Sequence, residues 1–254
     1  MALAPNLTEI AFAVGAGDRL IAVSNFSDYP PEARRLPRVG GLDASAEAIV
    51  ALHPDLVLAS RDGNPRGAVQ ALEAAGVPVL AVSGESLDAV LAGIRQVGER
   101  LGRGEEAGRL AEDLARRRED VRHRVAGRPK TAALLLVWPD PPQAAGAGTF
   151  LADVLEEAGA RNLAAGRGGW PVLSAEFLAT ADVSVLVVPD SADARPAFDK
   201  ARASGALSRG AAAAARVVRI PDDELSRPGP RVFDALETLA KKLHPEAWNK
   251  ETAE

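Results

Sequence analysis

Four of the ten aromatic residues lie in loop-forming sequence, flanked by prolines or paired glycines. They are Phe26, Tyr29, Trp138 and Trp170. Rings held on rigid loops suit a large, partly apolar ligand. Two of these loops follow predicted strands, and open α/β sheets bind their ligands at the carboxyl ends of strands. We therefore predict that the four residues contact a ligand. The alternative for any one of them is that it covers the edge of the core.

Polar side chains cluster in two further loops. The loop Asp222–Arg231 has the sequence DDELSRPGPR, in which Arg227 offers a fork of donors to an amide or a carboxylate. The alternative for Asp223 and Glu224 is that they are solvent-exposed charges that precede a helix. The loop Ser60–Asn64 follows a predicted strand in the first half of the chain. We predict polar ligand contacts from Ser60, Asn64, Asp223, Glu224 and Arg227.

The sequence contains no recognisable catalytic or metal-binding pattern. It has no Gly-x-Ser-x-Gly elbow, no phosphate-binding loop and no His-Glu-x-x-His motif. There is no cysteine, and the three histidines, His53, His123 and His244, are far apart in the chain. We therefore predict no catalytic residues, no metal site and no resident cofactor, and a protein that is not an enzyme.

Net charge and hydropathy limit the kinds of partner that the protein can bind and the compartment in which it works. The net charge of -5, without a basic stripe, argues against nucleic acid. No apolar run approaches the roughly 20 residues of a membrane-spanning helix. The N-terminus lacks the basic start and apolar stretch of a signal peptide, and Met1–Pro5 resembles the end of a strand. This favours an exported protein whose signal has been removed; a cytosolic protein is the alternative.

Short apolar runs alternate with alanine-rich stretches, a pattern typical of an α/β fold. Strands are predicted at Leu20–Ser24, Leu56–Ala59, Val77–Val82, Ala132–Val137, Val183–Val188 and Arg216–Ile220. Helices are predicted at Thr8–Val14, Ala44–Ala51, Gly67–Ala75, Leu87–Leu101 and Val232–Leu243. Glycine, proline or aspartate at their borders supports these limits.

One long charged stretch, 104–127, predicts a helix of about 33 Å that connects two lobes. Ser45-Ala46-Glu47 and Ser174-Ala175-Glu176 each open a helix that leads into a strand, a faint internal repeat that also favours two lobes. The predicted organisation is an N-terminal α/β lobe, 1–103, the connecting helix, 104–127, and a C-terminal α/β lobe with a final helix, 128–254.

Several short motifs occur in an order that resembles a known family. They are Ala4-Pro5-Asn6-Leu7-Thr8-Glu9, Ser27-Asp28-Tyr29-Pro30, Pro54-Asp55-Leu56-Val57, Gly63-Asn64, Trp170-Pro171 and Arg227-Pro228-Gly229-Pro230-Arg231. Across nearly the whole chain the sequence resembles the cobalamin-binding periplasmic proteins, the substrate-binding components of vitamin-uptake ABC transporters. More widely it is similar to the helical-backbone metal-receptor group (class III), which also binds haem and ferric siderophores.

The resemblance implies two Rossmann-like lobes joined by a single long backbone helix, with the ligand in a cleft between the lobes and little closure on binding. It implies that Tyr29 and Trp170 pack against a corrinoid (cobalamin or cobinamide), and that the Asp222–Arg227 loop contacts it from the C-terminal lobe. The protein is then a monomer in the periplasm, or on the outer face of the cytoplasmic membrane, that delivers its ligand to a permease dimer.

The sequence departs from the family pattern at two kinds of position. Leu42 and Ser60 stand approximately where cobalamin binders of this kind often have tryptophans, and they are the expected ligand contacts there. Arg66 and Ser226 stand near the two glutamates that dock the permease in the family, so Glu73 and Glu224 are the nearby substitutes.

Three alternatives remain open. The first is a haem-binding protein of the same fold, in which Tyr29, the only tyrosine, is a ligand of the haem iron. The second is a binding protein for a ferric siderophore, although anionic siderophores prefer a more arginine-rich cleft. The third alternative is a cytosolic enzyme on this two-lobed fold.

Overall fold

The computed structural model describes residues 1–41 and 44–248. The chain divides into two compact units. The first unit comprises Met1–Ala115 together with Arg227–Pro230, and the second comprises Arg116–Ser226 together with the residues from Arg231 onwards. Arg227–Pro230 was predicted to be part of the C-terminal lobe, whereas in the structure this segment belongs to the first unit.

The first unit contains a parallel pair of strands and the helices around it. The strands are β1 (Val57–Ser60) and β2 (Val79–Val82), paired in the register Val57 to Val79. The helices are α1 (Pro5–Ala13), α2 (Ala46–Val50), α3 (Arg66–Ala74) and α4 (Leu87–Arg100), with 3-10 turns at Gly17–Arg19 and Pro31–Arg35. The core includes Leu3, Ile49, Val57, Ala59 and Leu72.

The second unit contains a five-stranded sheet in the order β4-β3-β6-β7, with β5 also paired to β3. The strands are β3 (Thr131–Pro139), β4 (Pro142–Ala144), β5 (Ala160–Asn162), β6 (Val185–Asp190) and β7 (Arg216–Pro221). All pairs are parallel except that of β3 with β4. The helices are α6 (Phe150–Glu157), α7 (Ala175–Thr180), α8 (Ala194–Ser204), α9 (Gly210–Ala214), α10 (Asp222–Leu225) and α11 (Val232–Leu243), followed by a 3-10 turn at Pro245–Ala247.

A single helix, α5 (Gly104–Val125), begins in the first unit and continues into the second after Ala115. Ala107, Ala111, Leu114 and Val121 form its buried side, while charged side chains occupy most of the rest. Arg118 joins its second half to Glu157 of α6 through two hydrogen bonds of 2.7 and 2.6 Å. Within the described residues, no helix is long and apolar enough to cross a membrane.

Most predicted elements are present, with ends displaced by a few residues, but two predictions are wrong. Leu20–Ser24 is not a strand: only Val23 forms isolated bridges, to Ala2 and Arg38. Leu20 closes the preceding 3-10 turn, and Ser24 accepts a backbone hydrogen bond from Ser27, so too few residues remain to form a ladder. The predicted loop Asp222–Arg231 begins with the short helix α10.

Candidate functional site

In the first unit, two predicted ligand contacts lie on one exposed loop. The side chain of Phe26 is 64% exposed and that of Tyr29 is 43% exposed. Beneath them, Ser27 is completely buried, and its hydroxyl is hydrogen bonded to the hydroxyls of Thr8, at 2.9 Å, and Ser24, at 2.8 Å. This buried network fixes the backbone that carries the two rings.

The same loop is anchored by an arginine that is distant in sequence. Nη1 of Arg227 donates to Glu9 at 3.0 Å and to Asp28 at 2.7 Å. The Glu9 side chain is only 2% exposed, whereas that of Asp28 is 51% exposed. Burial alone would raise the pKa of Asp28, but the hydrogen bond and the charge of Arg227 outweigh it and lower that pKa.

Through Nη1, Arg227 therefore holds two protein carboxylates, one of which belongs to the residue before Tyr29. The neighbouring Pro228 is held in the same unit, because the side-chain amide of Asn6 donates to its carbonyl at 3.1 Å. The structure thus brings Arg227 and the loop of Phe26 and Tyr29 together, as a support for the loop.

Ser60 and Asn64 lie at the carboxyl end of β1 and are buried. The side-chain oxygen of Asn64 accepts from the backbone of Ser60 at 2.7 Å, and its amide donates to Leu3 at 3.3 Å. The hydroxyl of Ser60 accepts from the backbone of Gly63 at 3.0 Å. These groups close the turn after the strand. Leu42, the remaining prediction in this unit, lies outside the described residues.

In the second unit, Trp138 and Trp170 lie on the two segments that pair with β4. Trp138 is the second-last residue of β3 rather than a loop residue; it is 56% exposed and pairs with Gln143 of β4. Gln143 in turn donates to the carbonyl of Trp170 at 3.0 Å and forms a bridge to Val172. β4 therefore connects the two tryptophans.

Both indole rings are held in place by neighbours. The indole N–H of Trp138 donates to the carbonyl of Asp140 at 2.9 Å. Trp170 is 41% exposed and meets the edge of Phe150, with ring centres 6.3 Å apart and planes at 70°. Val172, 59% exposed beside Trp170, adds apolar surface that the sequence analysis missed. Val172 could have been predicted from its position two residues after Trp170, in the run Trp170-Pro171-Val172.

Asp223 and Glu224 lie in α10, at the other end of the second unit's sequence. Arg231 forms an ion pair with Asp223. Burial raises the pKa of Glu224, and the carboxylates of Asp234 and Asp223 raise it further, against the lowering effect of Arg231. In the described part of the chain, no group of three or more histidine, cysteine, aspartate or glutamate residues could hold a metal ion.

Two α/β units that share one long helix and carry exposed aromatic rings define a class of small-molecule binding protein. A sequence profile of the periplasmic binding proteins matches residues 1–224. The chain belongs to this family, whose members bind substrates for transport and are not enzymes.

Individual relatives differ in ligand. The chain is 31% identical to the vitamin B12-binding protein of Pectobacterium carotovorum over 96% of its own length and 87% of that protein. The solved structure of the periplasmic vitamin B12-binding protein BtuF of Vibrio cholerae matches with a TM-score of 0.82 and 29% identity, covering 98% of this chain and 97% of that one. The apo structure of the periplasmic haem-binding protein RhuT of Roseiflexus sp. RS-1 matches with a TM-score of 0.85 and 30% identity, covering 97% of each chain.

Proposed function

We propose that the protein captures a corrinoid, cobalamin or cobinamide, outside the cytoplasm and delivers it to the permease of an ABC transporter. The observation that carries the proposal is the set of exposed aromatic side chains that each unit carries: Phe26 and Tyr29 in the first unit, Trp138 and Trp170 in the second. The vitamin B12-binding relative supports the choice of ligand.

The chemistry of a corrinoid suits these residues. Its macrocycle is broad, with apolar faces, and its rim carries carboxamide groups. Covering exposed indole and phenyl rings with such a face contributes about 25 cal/mol for each Å² of apolar surface removed from water, before the costs of association. Because the indole of Trp138 is fixed by a hydrogen bond and that of Trp170 by packing on Phe150, these two side chains lose little entropy on binding.

The predicted polar residues fall into two groups within this proposal. The carboxylates of Asp223 and Glu224 accept hydrogen bonds from carboxamide N–H groups of the ligand rim. Ser60, Asn64 and Arg227 act by fixing the loops around the ligand, since their side chains are engaged within the protein.

Haem is the second candidate, and a specific observation favours it. Tyr29 is the only tyrosine in the chain and is 43% exposed, and a tyrosinate is an established ligand of haem iron. The haem-binding protein RhuT is also 30% identical to this chain.

Titration calorimetry with cyanocobalamin and with haemin separates the two candidates. We expect submicromolar one-to-one binding of cyanocobalamin, weakened about tenfold or more by Trp170→Ala, because a buried aromatic contact of this kind dominates binding energy. Trp248→Ala is the matched control, since Trp248 lies against Arg124 at 5.6 Å and outside the proposed site; it should leave the affinity unchanged.

Binding of haemin alone, with a Soret band that is lost in Tyr29→Phe, would overturn the corrinoid proposal and establish haem as the ligand. Weak binding of both compounds would overturn both candidates and leave only the family assignment.

A further inference from the structure

A cavity of about 300 Å³ opens beside Trp138 in the second unit. One wall is formed by Trp138, Pro139 and Asp140, at the end of β3. The opposite wall is formed by one face of α8 and the residue after it, with the lining residues Ala197, Lys200, Ala201, Ser204 and Gly205. All of these residues belong to the second unit, so the cavity is a feature of that unit alone.

The lining combines one aromatic ring, a floor of small residues on the α8 wall and one cation. The floor consists of the small side chains of Ala197 and Ala201, and Gly205 adds no side chain, which leaves room for a planar ring against the indole of Trp138. The indole cannot swing freely, because its N–H is bonded to the carbonyl of Asp140. Base–aromatic stacking requires an open, fixed ring face of this kind.

Polar groups stand at the mouth of the cavity. Lys200 and Ser204 are exposed on α8, and among the described residues no carboxylate forms an ion pair with Lys200. Its ammonium is therefore available to an anionic group such as a phosphate. The Ser204 hydroxyl and the Asp140 carboxylate provide acceptors for hydroxyl or amide donors.

The size of the cavity limits its occupant. At about 300 Å³ it lies at the lower end of the range for small-molecule sites, too small for a whole macrocycle but adequate for one aromatic substituent. We propose that it binds the nucleotide arm of cobalamin: the benzimidazole against Trp138, the phosphodiester at Lys200 and the ribose hydroxyl at Ser204 or Asp140. This assignment rests on the proposed corrinoid function.

The consequence is selectivity among corrinoids. Cobinamide shares the macrocycle but lacks the base, ribose and phosphodiester. The protein should therefore prefer cobalamin, and the preference should come from this cavity.

The experiment compares cyanocobalamin and dicyanocobinamide on the intact protein by titration calorimetry. We expect cyanocobalamin to bind about 25-fold more tightly or better, the combined effect of about fivefold each from one stacked ring and one partly exposed charge pair. Lys200→Gln should weaken cyanocobalamin roughly fivefold and leave dicyanocobinamide unchanged. The preference should also shrink as salt is raised, because the pair with Lys200 is near the surface.

Two further variants isolate the cavity. Ala197→Leu places a larger side chain on its floor and should weaken cyanocobalamin selectively. Lys130→Gln removes one exposed positive charge elsewhere in the second unit and should change neither affinity. Circular dichroism spectra verify that the variants are folded.

Equal affinity of the wild-type protein for the two corrinoids would overturn the nucleotide-arm assignment and leave the proposed function intact. A preference that survives both Lys200→Gln and Ala197→Leu would also overturn it. Failure of the wild-type protein to bind either corrinoid would overturn the proposed function and the assignment together.

Discussion

At the scale of single residues, Asp28 and Glu224 are carboxylates whose surroundings act in opposite directions. The guanidinium of Arg227 prevails over burial at Asp28 and lowers its pKa. At Glu224, burial and the neighbouring carboxylates raise the pKa. Folding therefore favours the charged form of Asp28 and disfavours the charged form of Glu224.

Amide substitutions at these two positions should change the stability in opposite senses. The lowered pKa of Asp28 stabilises the fold above about pH 4, and this stabilisation is lost as the pH falls through the folded-state pKa. The raised pKa of Glu224 destabilises the fold as the pH rises through the same region. At neutral pH, Asp28→Asn should thus lower the free energy of unfolding and Glu224→Gln should raise it.

Each change should be below about 1 kcal/mol, because the Asp28 side chain is half exposed, Glu224 is only partly buried, and solvent screens their interactions. Urea unfolding at about pH 3 and at neutral pH measures both. The differences from wild type should shrink at the acid pH, because acid favours the uncharged form of both carboxyl groups, which the amide imitates. Changes of the same sign at neutral pH would contradict this account.

The sequence revealed the types of site residue better than their roles. Phe26, Tyr29, Trp138 and Trp170 are all exposed, although Trp138 lies in β3 rather than in a loop, and their ligand contacts stay a prediction. Asn64 was predicted as a ligand contact, and in the structure its side-chain amide donates to the carbonyl of Leu3. A partner 61 residues away leaves no trace in a local pattern.

At the scale of elements, α4 and α5 approach each other closely where each helix has a small residue. A Cβ placed on Gly98 would lie 2.1 Å from Cβ of Ala107 and 2.9 Å from the carbonyl oxygen of Arg103. Real side chains do not approach so closely, so this crossing requires glycine at position 98. Gly108, one residue beyond Ala107 in α5, has nothing within 4 Å of such an added Cβ.

The same substitution at these two glycines should therefore give opposite results. Gly98→Ala forces the helices apart and should lower the free energy of unfolding by about 1–3 kcal/mol. Gly108→Ala only improves helix propensity and should raise it by up to about 1 kcal/mol. Urea unfolding of both variants tests the prediction. If Gly98→Ala were also stabilising, the helices would not be as close as the structure places them.

Helices and strands were predicted correctly where the apolar pattern extended over enough residues to show a repeat. Val232–Leu243 has the predicted ends, and the strand runs of the second unit are all present. β4 and β5 were not predicted, since three residues are too few to show a repeat. The strand prediction for Leu20–Ser24 was wrong although the apolar residues of this segment are largely buried. Turns on both sides of the segment use backbone groups that a strand would need.

At the scale of the whole molecule, the chain enters the first unit twice. Arg227–Pro230 belongs to that unit although the residues on both sides of it belong to the second. The ion pair between Glu9 and Arg227 joins residues 218 positions apart. The motif Arg227-Pro228-Gly229-Pro230 is conspicuous in the sequence, but no local pattern indicates which unit it packs with, because its partners are defined only by the fold.

This placement predicts a local effect of removing Arg227. Its hydrogen bonds to Glu9 and Asp28 both lie within the first unit. Arg227→Ala takes the counter-charge from a nearly fully buried carboxylate, which should cost about 2 kcal/mol. In native-state hydrogen exchange read by mass spectrometry, amides of α1 and of the loop carrying Tyr29 should then exchange roughly 30-fold faster. Amides of β6 and β7, in the second unit, should keep their wild-type rates.

Two variants make the interpretation specific. Arg231→Ala breaks an ion pair with Asp223 inside the second unit and should accelerate exchange there instead. Adding Glu9→Gln to Arg227→Ala removes the buried negative charge that has lost its arginine, and it should restore part of the lost protection. A double-mutant cycle quantifies this coupling. Equal acceleration of both units in Arg227→Ala would show that they unfold as one cooperative body. In that case Arg227 would stabilise the whole molecule, and its role could not be confined to the loop that carries Tyr29.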